Sequence, residues 1–160
     1  MDFEDKLLNL LIKSPNSGKV QATVEQLEFD HNFSYSKDRN VLQGVWELRW
    51  SSSKSPFLKY SPFIDNLQIL DPYNLNGLNL LKPRGIKSIV GTGILIRLFY
   101  INEKKIGVKF THAGLIGPKF GKKNIKAMKE INNEQVGWLE ITYLSNKLRI
   151  CRGDKGTLFV

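Results

Sequence analysis

Apolar residues recur at helical spacing only near the start of the chain, and at alternate positions through most of the chain beyond residue 40. Phe3, Leu7, Leu10 and Leu11 fall on one face of a helix. Ser14-Pro15-Asn16 stops that helix, and Ser17 is placed to cap a second one that carries Val20, Val24 and Leu27 on one side. After Asn40 the period changes to two. Trp46, Leu48 and Trp50 share one face against Glu47, Arg49 and Ser51, and Phe63, Leu67 and Ile69 repeat the alternation. Gly91 to Ile101 is apolar on both faces except at Arg97. Ile106, Val108 and Phe110, then Leu139, Ile141 and Tyr143, then Leu148 and Ile150, and finally Thr157 to Val160 continue the series. Turn signals separate the runs: Ser53 to Pro56, Asp71-Pro72, Asn76-Gly77, Pro83-Arg84-Gly85, Asn102-Glu103, Asn132-Asn133, Ser145-Asn146 and Gly153 to Gly156. The pattern predicts a helical lead-in over 1–30 and roughly seven to nine short strands from residue 41 to 160. Turn-linked strands of this kind make an antiparallel barrel or a sandwich. With no repeat and no linker, a single domain over 1–160 is the simplest division of the 160 residues.

Composition narrows the chemistry. A 41% hydrophobic and 24% charged chain is ordinary for a folded globule, and its single cysteine excludes an internal disulfide framework and a multi-thiolate zinc site. The most apolar stretch, Ile94 to Ile101, is interrupted by Arg97 and falls far short of the roughly 20 residues a membrane helix needs. The acidic start, Asp2-Phe3-Glu4-Asp5, is neither a secretory signal nor a transit peptide, so the chain works where it is made or follows a removed leader. The net charge of +9 suits an anionic membrane, a nucleic acid or an acidic protein.

Lys119, Lys122, Lys123, Lys126 and Lys129 form the densest basic group. Ile125 and Met128 lie among them, as in a short amphipathic helix facing a membrane. Lys82, Arg84 and Lys87 form a second basic group, and Lys104, Lys105 and Lys109 a third. Nucleic acid ranks low as a partner, because no basic-Gly-aromatic string is present and the aromatics sit on alternating, core-like faces.

A catalytic constellation does not assemble. Neither His31 nor His112 belongs to an HExxH pair, and Cys151 has two cationic neighbours but no base. Gly91-Thr92-Gly93 and Gly121-Lys122-Lys123 lack the remaining glycines of a dinucleotide loop or a P-loop, and Gly114-Leu115-Ile116-Gly117 reads as a turn. An enzyme would need a polar cluster inside the barrel, for example around His112 or Asp65. The reading favours a non-enzymatic protein without a metal.

Gly44-Val45-Trp46 at the first strand resembles the lipocalin signature, in which the Trp closes the barrel floor and an Arg from a late strand lies across its ring. The longer run Leu42-Gln43-Gly44-Val45-Trp46-Glu47-Leu48-Arg49-Trp50-Ser51-Ser52 resembles the opening strand of the fibrillin family, the plastid lipid-associated proteins. Gly137-Trp138-Leu139-Glu140-Ile141-Thr142-Tyr143-Leu144, followed by Leu148-Arg149-Ile150-Cys151-Arg152-Gly153-Asp154-Lys155-Gly156-Thr157-Leu158-Phe159-Val160, resembles that family's C-terminal signature. Gly44, Trp46, Trp138, Tyr143, Arg149, Arg152, Gly153, Asp154 and Gly156 carry the match. Glu140, Ser145-Asn146 and Cys151 depart from it, standing where Asp, an acidic pair and Ser are common.

The resemblance implies a mainly β chain: a lipocalin-like antiparallel β-barrel preceded by an N-terminal helical segment that could cap one end. It implies a carrier of a small hydrophobic molecule (an isoprenoid, carotenoid, prenylquinone or acyl lipid), peripheral at thylakoid-type membranes of a cyanobacterium or a plastid, with a photoprotective or membrane-maintenance role. The alternative it leaves is a solid barrel serving as a scaffold for isoprenoid- and quinone-biosynthesis enzymes or lipid droplets. Trp46, Leu48, Trp50, Phe63, Leu67, Ile69, Phe110 and Tyr143 are the candidate inward residues. Strand parity groups Leu148, Ile150 and Arg152. If that face points inward, Arg152 is the cation to stack on Trp46 and Arg149 faces solvent; otherwise Arg152 pairs with a carboxylate such as Asp154.

Overall fold

The structure, a computed structural model, describes residues 2–30, 32–54, 58–85, 90–132 and 136–160. His31, Pro56, Lys87 and Asn133 lie outside these, as does the side chain of Lys119. Three helices, α1 (Phe3–Lys13), α2 (Lys19–Asp30) and α3 (Tyr35–Leu42), precede the sheet. Its strands are β1 (Gly44–Glu47), β2 (Ile64–Asp71), β3 (Asn76–Pro83), β4 (Gly91–Tyr100), β5 (Lys105–Phe120), β6 (Lys123–Glu130), β7 (Val136–Leu144), β8 (Arg149–Gly153) and β9 (Leu158–Phe159). All pairings are antiparallel in the order β1-β2-β3-β4-β5-β7-β8-β9, with β6 on the far half of β5.

The sheet does not close as a continuous ladder, so the expected barrel is replaced by an open nine-strand sheet with a bridged seam. After β1 the chain leaves β2. Arg49 and Trp50 N–H donate to the Val160 carbonyl at 2.8 and 3.0 Å, Ser52 N–H to Leu158, and Val160 N–H back to Trp50. An isolated bridge joins Ser51 to Phe159.

Two apolar clusters hold the layers together. Leu7, Leu11, Val20, Val24 and Leu27 of α1 and α2 pack on Leu148, Ile150, Leu158 and Val160, so the two helices cover the outer face of the seam. The lead-in therefore does not cap an end. A third helix, α3, which the period-two reading passed over, moves the start of the sheet from residue 41 to Gly44. Tyr35 and Leu42 of α3 join Leu70, Ile96, Leu98, Ile106, Val108, Ile141 and Cys151 on the inner face.

Glu103, from the β4–β5 turn, caps α3 from outside the helix. Its carboxylate accepts from Ser34 Oγ at 2.7 Å and from Ser36 N–H and Oγ at 3.1 and 2.8 Å, satisfying the helix's free N-terminal donors. These bonds hold Glu103 down at about 2, against an ordinary 4.5. Gly44, one residue beyond Gln43, the C-cap of α3, takes φ +153°, a backbone that L side chains rarely adopt. The glycine of the opening motif is thus a requirement of the turn from helix into strand.

Two other expectations change. Residues 119–129 are the end of β5 and strand β6, not a helix. Strand alternation puts Lys123, Ile125, Ala127 and Lys129 on one side and Lys126 and Met128 on the other. Asn76-Gly77 opens β3 instead of making the turn, which lies at residues 72–75 and is tied by Asn74 to the Asp71 carboxylate.

Ile150 is fully buried under α1 and α2, whereas Phe63 is 79% exposed. Ile150→Ala is expected to cost about 2–5 kcal/mol in urea unfolding, and Phe63→Ala less than about 0.5 kcal/mol. Because the folded Glu103 titrates below its unfolded value, its contribution is complete above pH 4.5 and is lost as pH falls through about 2. Glu103→Gln should therefore be less stable than wild type at pH 7. That difference should shrink toward pH 2 when thermal melts are compared across pH.

Candidate ligand-binding cavity

A cavity of about 1050 Å³ occupies the inner face between the α3 cluster and the seam. Register builds its floor. Trp46 on β1 faces Gln68 on β2, Gln68 faces Asn79 on β3, and Asn79 faces Ile94 on β4. Trp46 is locked by its indole N–H, which donates to the Leu42 carbonyl at 2.9 Å. Leu48, Val108, Phe110, Leu139 and Phe159 supply apolar wall, while Asn66, Gln68 and Asn79 form a polar stripe. Gln68 Nε2 donates to Asn79 Oδ1 at 3.0 Å, and Gln68 Oε1 is buried without a donor among the described residues.

Trp46, Leu48 and Phe110 line the cavity. The other candidates do not. Leu67 and Ile69 pair with Leu80 and Leu78, on the opposite face from Gln68, so the apolar side of β2 points outward and its amides point in. Trp50 packs against the α1–α2 cluster, because the alternation from Leu48 breaks where the chain leaves β2 for Val160. Tyr143 also packs there and donates its hydroxyl to Glu4 at 2.6 Å. Burial and that acceptor raise its phenol well above its ordinary range. Phe63 stands exposed before β2.

The two arginines exchange roles. Arg149 lies over the Trp46 ring, its guanidinium carbon 5.2 Å from the centroid, and Arg152 reaches outward to Glu28 on α2 with two hydrogen bonds of 2.9 and 2.5 Å. Leu148, Ile150 and Arg152 do share a face, but it is the helix-covered one. Strand β8 is buried on both sides, with Ile150 under the helices and Cys151 in the inner cluster, so parity cannot say which side is inside. Burial pushes the Arg149 guanidinium below its usual range and the Cys151 thiol above its own. Asp154 is exposed in the turn before β9. In that turn only Gly156 has positive φ, +72°, while Gly153 sits 3.2 Å, measured from where a Cβ would be, from the Phe159 ring.

Asp65 and His112 are not brought together. Asp65 pairs with Lys82 at 2.7 Å and Arg84 at 3.3 Å, and its strand lies three strand positions, about 14 Å, from that of His112. Trp138 is capped on its outer face by Lys105 at 4.2 Å. The side chains of Lys122, Lys123, Lys126 and Lys129 are exposed, with no carboxylate partner among the described residues. The inward amides of β2 and β3 and the cap by Glu103 are features that sequence reasoning missed; the Asn/Gln positions of β2 and Asn79 were their visible trace.

The model of one protein family, PAP_fibrillin, matches residues 8–160. The chain belongs to the PAP/fibrillin family. It is 27% identical over 183 aligned positions to the probable plastid-lipid-associated protein 12, chloroplastic, of Arabidopsis thaliana, covering 99% of this chain and 44% of that protein. It thus spans less than half the length of that relative. No solved structure matches the chain. Within this PAP/fibrillin domain the tail residues divide their work: Arg149 covers the floor tryptophan, Arg152 clamps α2, and Gly153 leaves room for Phe159.

The Arg152–Glu28 pair is bidentate and half sheltered. Glu28→Gln is expected to lower unfolding stability by about 1 kcal/mol, and Asp154→Asn to leave it unchanged in the same denaturation series.

Proposed function

We propose that this PAP/fibrillin chain, folded as one domain over 1–160, is a lipocalin-like carrier that holds a single small hydrophobic molecule on the inner face of its sheet. The observation that carries the reading is the cavity of about 1050 Å³, walled by Trp46, Leu48, Val108, Phe110 and Phe159. Its size is that of a small-molecule site, mostly apolar with a few placed polar groups. The bridged seam plays the part of barrel closure. An isoprenoid, carotenoid, prenylquinone or acyl lipid fits this class of site, and plastid-lipid association is what the relative's name states. The roomy interior favours this reading over a solid scaffold for biosynthetic enzymes.

The β5–β6 hairpin supplies the approach to a membrane. Lys123 and Lys129 share a side with Leu115 and Ile125, which are 64% and 54% exposed, and Lys122 and Lys126 add exposed cations to the same hairpin. Each cation near an anionic surface contributes about 1 kcal/mol. No helix among the described residues is long and apolar enough to span a bilayer. The reading is of peripheral attachment to a thylakoid-type membrane, in a plastid or a cyanobacterium, in a photoprotective or membrane-maintenance role and without catalysis.

Native mass spectrometry after incubation with thylakoid lipid extract tests the carrier reading. One bound molecule per chain is expected, displaced in Leu48→Trp, which fills the cavity wall. An unchanged apo mass would overturn it. Binding to anionic liposomes should weaken as salt rises and should drop further in a variant with Lys122, Lys123, Lys126 and Lys129 changed to Glu. Salt-independent binding would refute the electrostatic approach.

A further inference from the structure

The arginines near the seam and the β1–β3 edge are neutralised, with one exception. Arg152 has Glu28, Arg84 has Glu47 and Asp65, and Arg49 has Glu47. Arg149 projects into the cavity from β8 and has no carboxylate or carbonyl partner for its guanidinium among the described residues; it rests on the Trp46 ring instead. Its neighbour Cys151 offers no negative charge, since burial raises that thiol and keeps it protonated at neutral pH. A cation withdrawn from water without a counter-charge is costly, and such charges are ordinarily paired.

Across the same floor, the Oε1 of Gln68 is a buried acceptor without a donor among the described residues, on the residue paired with Trp46 in register. Unpaired polar groups therefore flank one aromatic ring, and an apolar wall of Leu48, Val108, Phe110 and Phe159 completes the chamber. The guanidinium has five donors in a planar fork, which match the two oxygens of a carboxylate.

From this juxtaposition we propose that the cavity is built for a single-chain amphiphile with a carboxylate head, the head on Arg149 above Trp46 and the chain along the apolar wall. The inference rests on the carrier reading and narrows it from hydrophobic molecules in general to monoanionic ones. A ligand without a charged head leaves Arg149 as it is in the empty chain, and gains nothing from it.

The test uses the full chain, stripped of lipid, with cis-parinaric acid and its methyl ester as fluorescent probes of one chain length. The acid is expected to bind wild type at least tenfold tighter than the ester. Arg149→Met should remove that preference by weakening the acid at least tenfold while leaving the ester unchanged. The empty variant should melt at or above the wild-type temperature, because an unpaired, half-buried charge has been deleted. Equal affinity of wild type for acid and ester would overturn the head-group assignment and leave the carrier reading standing. Failure of both probes to bind would count against the carrier reading itself, and the proposal would fall with it. A large drop in melting temperature for Arg149→Met would mark Arg149 as a structural lid on Trp46, and would refute the unpaired-cation argument. The acid-to-ester ratio of wild type decides the matter independently of how the variant folds.

Discussion

The backbone hydrogen bonds between residues 49–52 and 158–160 are the constraint on which the rest of the molecule depends. They bring the first strand region to the last and hide two edges that would otherwise present rows of open N–H and C=O groups. Curling the sheet this far gives it an inside, and the inside is where Trp46, Arg149 and Cys151 meet. The same seam has an outside, and α1 and α2 bury their apolar faces there against Leu158, Val160 and Ile150. Fold, cavity and helix docking are consequences of one junction.

The interior that results is divided lengthwise. One part is filled by α3, whose Tyr35 and Leu42 enter the cluster of Leu70, Ile96 and Ile106, and whose N-terminus is held by Glu103. The other part is left open and lined by a mixture that no packed core would choose: apolar walls beside side-chain amides and charged groups, the Arg149 guanidinium among them. A core of that composition is expensive unless something else completes it. Under the proposed carrier reading, the polar stripe is half of a recognition surface.

Period-two patterning was enough to read a mainly β chain behind α1 and α2, and ordered motifs were enough to read the family. What patterning could not supply was sidedness. In β2 the apolar residues Leu67 and Ile69 face out and the amides Asn66 and Gln68 face in, so the usual rule of apolar inside assigns the strand backwards. In β8 both faces are apolar for different reasons, and Arg149 and Arg152 could not be told apart without knowing where the helices lie. The basic stretch 119–129 resembled a helix because Ile125 and Met128 fall three residues apart among the lysines, a helical spacing, whereas in strand β6 they take opposite sides. The α3 segment, Tyr35–Leu42, offers only one turn's worth of apolar positions and owes its N-terminal cap to Glu103, some 70 residues away in sequence.

The distance along the chain between partners has a consequence for how the protein comes into being. Glu4 is bonded to Tyr143 and Glu28 to Arg152, and the apolar stripe of the first thirty residues rests on residues 148–160. In folding, α1 and α2 find their docking surface only once residues 148–160 are in place, and until then their apolar faces stand open. Such non-local closure is slow and exposes sticky surface while it waits. The arrangement makes the partly folded chain, more than the folded one, the state in which aggregation competes.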